Sequence, residues 1–316
     1  ASHTARVSSS AVAVHVSDAA QDRKDAAVAQ SDAKTPHWRS TLLGWNAAMA
    51  LFHTSLAILT VVVGNTDLTV PVYKTELTFT LGDVDKGEPA WTLVPSPVAA
   101  FDLPYTVTVT MFFVLSATFH TLNLVFNDFY IRQLHNCYSP FRYLEYSLSA
   151  PLMVIAIAPT FGLSDRNLLI TLFALISTTM YFGWMIEIIA RPSADRKSWT
   201  TPLWLRLSPW VLGHVPQIAA WGILVLQFYD NSSGDGERGK PPDFVVAILW
   251  SEVSLFFLFG VAALYAQLRA PDKFWQSELI FQVLSLVSKG LLGGLLIANV
   301  LLYGSLEEAF DNARDA

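Results

Sequence analysis

The chain has one cysteine, Cys137, in 316 residues. A single thiol excludes an intramolecular disulfide framework and any zinc site built on cysteines. Charge is scarce as well, with Asp, Glu, Lys and Arg making up 15% of the chain and a net charge of −6. That balance, with no basic stripe interleaved with aromatics, excludes a nucleic-acid partner. Residues 1–38 are rich in Ala, Ser and Asp. They lack an apolar core of signal-peptide length, so no cleaved secretory leader is expected there and a disordered tail is.

What the chain has in excess is apolar surface: 53% of its residues are hydrophobic, ten are tryptophan, and the mean hydropathy is +0.40. This composition points to a polytopic protein of the lipid bilayer. Seven apolar segments, near 40–63, 104–126, 141–162, 167–190, 208–229, 243–268 and 277–303, supply the ~20 residues a helix needs to cross the hydrocarbon. Pro104, Pro209 and Pro242 fall near the start of their spans, where a missing N–H costs little. Pro151, Pro159 and Pro216 fall inside and predict kinks or freed backbone groups.

Basic residues orient the bundle. Thirteen lie on the side of the N-terminus (Arg6, Arg23, Lys24, Lys34, Arg39, Arg132, Arg142, Arg191, Arg196, Lys197, Arg206, Arg269 and Lys273) and six on the other. The positive-inside rule then predicts a cytoplasmic N-terminus and an extracellular C-terminus. The domains expected are a cytoplasmic tail over 1–38, a seven-helix domain over 39–304 and an extracellular C-terminal tail over 305–316. In the long first outer loop, about 64–103, "VPVYKTELTFTLGDVDKGEPAWTLVP" alternates apolar and polar residues around an Asp/Gly-rich centre. Such alternation predicts a β-hairpin. Asn231-Ser232-Ser233 forms a glycosylation-type triplet on the same side.

Within the spans few ionisable residues remain: His53, His120, Glu145, Glu187, His214, Glu252 and Lys289. Lys289 is the single charge in the run "LSLVSKGLLGGLLIANVLL", and a charge at that depth costs a few kcal/mol, which marks a functional residue by default. It lies about twelve residues into its span, roughly 18 Å. Helical side chains lean toward their own N-terminus, which aims the ammonium back toward the side where Glu145 lies. Ser285 precedes Lys289 by one turn on the same face. A structural salt bridge satisfies this pattern. So does a second use, because desolvation favours the neutral amine, which forms a Schiff base with an aldehyde. Seven helices with one lysine at mid-depth in the seventh is the architecture that binds retinal.

The third span opens "FRYLEYSLSAPLM", with Arg142-x-x-Glu145; the seventh carries Ser285-x-x-Ser288-Lys289; the fourth contains "TTMYFGWMIE". With His53 in the first span and Phe119-His120 in the second, these motifs resemble the heliorhodopsins, microbial-type rhodopsins whose N-terminus is cytoplasmic. The resemblance covers roughly residues 40–303. It implies an all-α, seven-helix rhodopsin bundle and a light-absorbing photoreceptor, not an enzyme, with no catalytic or metal-binding residues. It also implies all-trans retinal on Lys289 as a protonated Schiff base, Glu145 as counterion, and Ser285 and Ser116 in support. Tyr146, Met180, Trp184 and Trp250 would contact the polyene. His53, His120 and Arg142 would form a polar network with Glu252. Taken alone, the first-loop hairpin is either a solvated loop folded over the bundle or a dimer contact; the resemblance implies the second, a homodimer, and light sensing implies a signalling partner of unknown kind.

Glu187 stands one turn before Arg191, which predicts an i,i+4 pair at the membrane interface. Glu252 has no basic partner in its span, so it is either a hydrogen-bonded interior acid or the lining of a water-filled route. The second option, joined to His53 and His120, makes a light-gated or light-driven proton or ion conductor the alternative function. A receptor for a diffusible ligand is disfavoured, since the seventh span lacks Asn-Pro-x-x-Tyr and the third lacks a following Glu/Asp-Arg-Tyr. Cys137, in a loop, is open to palmitoylation or idle.

Overall fold

The computed structural model describes residues 36–82, 84–87, 91–232 and 240–315. The disorder expected of the N-terminal tail falls on residues outside this set up to 35, as does Ser233 of the glycosylation-type triplet. In chain order the elements are α1 (Arg39–Val63), β1 (Thr69–Leu81), β2 (Trp91–Pro104), α2 (Tyr105–Val125), α3 (Asn127–His135), α4 (Pro140–Thr160), α5 (Arg166–Ile189), α6 (Leu203–Ser232), α7 (Asp243–Leu268), α8 (Phe274–Asn299) and α9 (Leu306–Asp315). Short 3₁₀ turns cover Val84–Lys86 and Pro271–Lys273.

Seven of these helices are long, and each packs on the next in the series α1, α2, α4, α5, α6, α7, α8, with α8 closing the ring against α1 and α2. Six are long and apolar enough to cross a membrane by length and composition. The seventh, α4, holds Arg142 and Glu145 and is the most enclosed, with 15 of its 21 residues buried. Its polarity is affordable because neighbouring helices, not lipid, surround it. Large apolar side chains point outward instead from the ring's rim, among them Leu51, Val62 and Val215. A soluble surface would not carry that many.

Prolines inside helices leave carbonyls without a partner, and neighbours supply one. Pro209 lies inside α6, not at its start, because the helix begins five residues before the expected 208. Ser208 donates to the Leu205 carbonyl that Pro209 frees, at 2.9 Å. Asn231 donates its side-chain amide to the Phe161 carbonyl at 2.7 Å, which ties α6 to the turn after α4.

The first loop is an antiparallel hairpin, Thr69 opposite Pro104 through Leu81 opposite Trp91, with a bulge between Val72 and Tyr73. Its base is anchored: Leu68, Val70 and Val72 join the main apolar core, and the Tyr73 amide donates to Ser164 O at 2.9 Å. Its far half stands clear. Leu77, Phe79 and Leu81 lie opposite Pro95, Leu93 and Trp91 on one face, and Phe79 is 71% exposed. Within the residues expected as the C-terminal tail lies α9, whose Ala309 is buried and whose Phe310 packs on Phe244. At the other end of the bundle Trp38, Leu42, Tyr130, Leu134, Cys137 and Phe274 form a second apolar cluster under α3.

Candidate functional site

The face of α8 that meets α4 carries Glu278, Gln282, Ser285 and Lys289, all buried, at spacings of four, three and four. That spacing keeps them on one stripe of a 3.6-residue helix. Lys289 Nζ lies 2.8 Å from Glu145 Oε1 and donates to Ser285 Oγ at 2.9 Å. Ser116 of α2 donates to the same carboxylate oxygen at 2.6 Å, and Ser149, one turn along α4, at 3.3 Å. Both charged residues are 3% exposed. Removing two charges from water costs several kcal/mol per ion, and only close geometry with further hydrogen bonds offsets it. Here three donors converge on one oxygen.

The ammonium also sits 5.1 Å from the centre of the Tyr146 ring, whose hydroxyl donates to Phe281 O. Beyond the lysine a cavity is walled by Tyr146, Met153, Met180, Phe256 and Phe259. A second cavity between α5, α6 and α7 shares Tyr146, Met180 and Phe259 with it, and the backbone of Gly183 and Gly213 forms part of its wall. An amine beside a carboxylate at one end, followed by aromatic and thioether walls, fits an elongated apolar aldehyde bound through its carbonyl carbon.

Two expected wall residues lie elsewhere. Trp184 is a turn beyond Met180 and donates its indole N–H to the Tyr138 hydroxyl at 2.9 Å, outside both cavities. Trp250 is 51% exposed on the outer face of α7. Glu252, two residues on and fully buried, shows why: residues two apart on a helix point about 200° apart, so both cannot face inward. Phe256, one turn after Glu252, takes the inward position.

His53 and His120 stack with ring centres 5.7 Å apart and planes 9° from parallel. His120 Nδ1 is 2.9 Å from Asn46 Oδ1, while neither ring nitrogen of His53, buried, has a hydrogen-bond partner among the described residues. From Asn46 polar contacts continue to Asn123 and Tyr130, and Tyr130 donates to Glu278 Oε1 at 3.0 Å.

Arg142 does not face the lysine. Its guanidinium pairs with Glu187 through one nitrogen and Glu278 through another, and it lies over the Phe281 ring at 4.1 Å. Glu187 therefore departs from the expected interface pair with Arg191: it is buried, and it accepts from the Ser139 backbone N–H at 2.8 Å. Arg191 turns to the carbonyls of Ile188 and Ala190. Glu278 escapes notice in the sequence because it stands at the start of its span, where a charge is unremarkable. The four-three-four polar stripe on α8 is the signal that finds it.

Glu252 accepts from Ser288 Oγ at 2.7 Å through one oxygen, and its other oxygen is buried with no partner among the described residues. One oxygen thus has the hydrogen bond of an interior acid, while the other is a buried polar atom of the kind that lines a water-filled route.

The fold and the buried lysine–carboxylate pair place the molecule in one class, the seven-helix membrane bundles of the rhodopsin type. Among solved structures it is similar to xanthorhodopsin, a light-driven ion pump with dual chromophore, at 14% identity and a TM-score of 0.56 over 87% of this chain and 98% of that one. A light-driven proton pump from Leptosphaeria maculans aligns at 13% identity and a TM-score of 0.42 over 84% of this chain and 95% of that one. No curated protein matches the sequence. The heliorhodopsin family model matches residues 42–301, and the chain belongs to that family. It is accordingly a multi-pass membrane protein that binds retinal and responds to light.

Proposed function

We propose that this heliorhodopsin is a photoreceptor in which all-trans retinal is held on Lys289 as a protonated Schiff base with Glu145 as counterion, its photoisomerisation driving a signalling photocycle. The observation that carries the reading is the 2.8 Å contact of Lys289 Nζ with Glu145 Oε1 in an apolar interior that opens on an aromatic cavity. When bound, the retinal supplies light absorption and isomerisation. The chain's own residues do the rest. Glu145 neutralises the positive nitrogen, and Ser116 and Ser149 hold the carboxylate in place, which favours the charged pair. Ser285 offers the nitrogen an alternative hydrogen-bond partner. Tyr146, Met180 and Phe259 exclude water from the polyene, and Arg142 ties the ends of α4, α5 and α8 together beneath it.

In this reading residues 1–38 are the cytoplasmic tail, residues 39–304 the retinal domain and residues 305–316 an extracellular segment, as the distribution of basic residues supports. The exposed apolar face of the hairpin, with Phe79 and Trp91, supports a homodimer, since a solvent-facing patch of that kind ordinarily marks a contact. Replacing both by serine should leave a monomer in native mass spectrometry with an unaltered visible spectrum; an intact dimer would remove the hairpin from the interface.

Adding all-trans retinal to the expressed protein tests the central claim. A visible band that hydroxylamine bleaches, and that is lost in Lys289→Ala, is expected. No band, or one that survives the substitution, would overturn it.

A second reading, a light-gated or light-driven proton or ion conductor, is favoured by one observation: Glu252 Oε1 and both His53 ring nitrogens are buried polar atoms without partners among the described residues. Such atoms are places for water. Photocurrent under voltage clamp that disappears in Glu252→Gln would establish it, and silence at every voltage would leave the sensor.

A further inference from the structure

Asn46, on α1, is 1% exposed and touches four polar groups. An amide has one accepting oxygen and one donating nitrogen, and which is which follows from its surroundings. Asn46 Nδ2 lies 2.8 Å from the Leu42 carbonyl, a group that only accepts. Tyr130 gives a second constraint. Its proton is directed to Glu278 Oε1 at 3.0 Å, so its oxygen is left to accept, from Gln282 Nε2 at 3.2 Å and from Asn46 Nδ2 at 3.4 Å. Two acceptors therefore hold the nitrogen of Asn46 on one side. Its oxygen is turned to the other, where Asn123 Nδ2 donates to it at 3.0 Å and His120 Nδ1 stands at 2.9 Å.

A carbonyl oxygen cannot donate, so the proton of that last contact belongs to His120 Nδ1. In a neutral imidazole the other nitrogen then carries the lone pair. Among the described residues His53, its stacked neighbour, has no partner on either nitrogen and nothing of this kind to choose between its tautomers. Two histidines that look equivalent in the sequence differ in this respect.

We propose that Asn46 is a positioning residue that locks His120 as the Nδ1–H tautomer, leaving Nε2 as the lone pair of the pair's proton acceptor. The charged groups near this ring are Glu145 of α4 and Lys289 of α8, with His53 of α1 stacked beside it. On the photoreceptor reading the Lys289 nitrogen would give up its proton and His120 Nε2 would take it, giving an imidazolium whose Nδ1–H stays on Asn46, and the proton would return to that nitrogen as the site resets. The role of His120 in light-driven proton movement rests on the photoreceptor reading above; the tautomer does not.

Magic-angle-spinning NMR of ¹⁵N-histidine-labelled protein in lipid vesicles, kept dark and mildly alkaline so that the rings are neutral, reads the tautomer directly. The His120 resonances are expected to show Nδ1 protonated and Nε2 bare. Asn46→Leu should move His120 to a tautomer mixture or to the Nε2–H form, and Asn46→Asp, which keeps an acceptor at that place, should retain Nδ1–H. A wild-type His120 protonated at Nε2, or an unchanged tautomer in Asn46→Leu, would overturn the lock, and the wild-type spectrum decides even if a variant does not fold. With retinal added, time-resolved absorption should show light-driven proton transfer slowed about tenfold or more in Asn46→Leu. Transfer at the wild-type rate would overturn the assignment of His120 as acceptor. Absence of any coloured band would count against the retinal linkage and leave the tautomer result standing.

Discussion

Ser177 of α5 donates its hydroxyl to the Ser147 carbonyl of α4 at 2.9 Å, the carbonyl that Pro151 leaves without a helical partner. A proline in the middle of a membrane helix is thus offset by a serine on the next one. Ser177→Ala should cost about 1–3 kcal/mol, the penalty for a buried acceptor left unmade. Restoring the helical N–H with Pro151→Ala should shrink that loss, so a double-mutant cycle of thermal midpoints reads the coupling. Equal losses in both backgrounds would show that the hydroxyl serves something other than the freed carbonyl.

The Lys289–Glu145 pair makes its own prediction in retinal-free protein. Glu145→Gln leaves a buried ammonium without its carboxylate, which should destabilise the fold by about 3–5 kcal/mol. Adding Lys289→Met removes the orphaned charge, and most of the loss should return. Chemical denaturation in detergent measures both. Losses that simply add would mean the two charges do not interact in the folded state.

Arg142 should be still less dispensable than either of its partners. Arg142→Gln strands two carboxylates, Glu187 and Glu278, at 3% and 2% exposure, whereas Glu187→Gln or Glu278→Gln leaves the guanidinium one anion. The arginine variant should lose about 3–5 kcal/mol and each single glutamine variant clearly less. Thermal melts ranked in the opposite order would disprove that the arginine joins the two.

Cys137 is buried, its thiol near the Pro271 carbonyl, and burial pushes that thiol up to about 11. At neutral pH the thiolate fraction is then roughly a hundredfold below that of a thiol titrating at 9.0, and the thiolate is the reactive form. Folded protein should resist maleimide and acylation, and labelling should appear only on unfolding or as pH climbs toward that value. Prompt modification at neutral pH would place the side chain outside the apolar cluster beneath α3.

The seven spans were legible because a bilayer sets the length of an apolar run; the sixth, 243–268, matches α7 end to end. Where α6 outran its apolar run, Arg206 is the reason. Taken for a loop residue, it lies inside the helix and donates to the Gln267 carbonyl at 2.6 Å. α3 and α9 are nine and ten residues long, too short and too polar to register in a membrane-sized window. Within the site, depth and side-chain direction were enough to bring Lys289 toward Glu145. They could not show that Arg142 turns away from that pair, because a guanidinium's choice between carboxylates depends on which helices pack, and Glu278 is 136 residues distant in sequence. Trp250 was out of reach for a different reason: aromatic type carries no angular position, and this indole faces outward on α7.

The polar stripe on α8 has a mechanical meaning. Glu278 and Lys289 are eleven residues apart on one unbroken helix, a separation of roughly 16 Å. A helix twists about its axis as a rod, so any turn that shifts the lysine from its carboxylate shifts Glu278 against Arg142 and Tyr130 by the same angle. The stripe is a camshaft. On the photoreceptor reading, a turn of the helix at the lysine would reach the Tyr130 hydroxyl of α3 through Glu278 and Gln282, both on that helix.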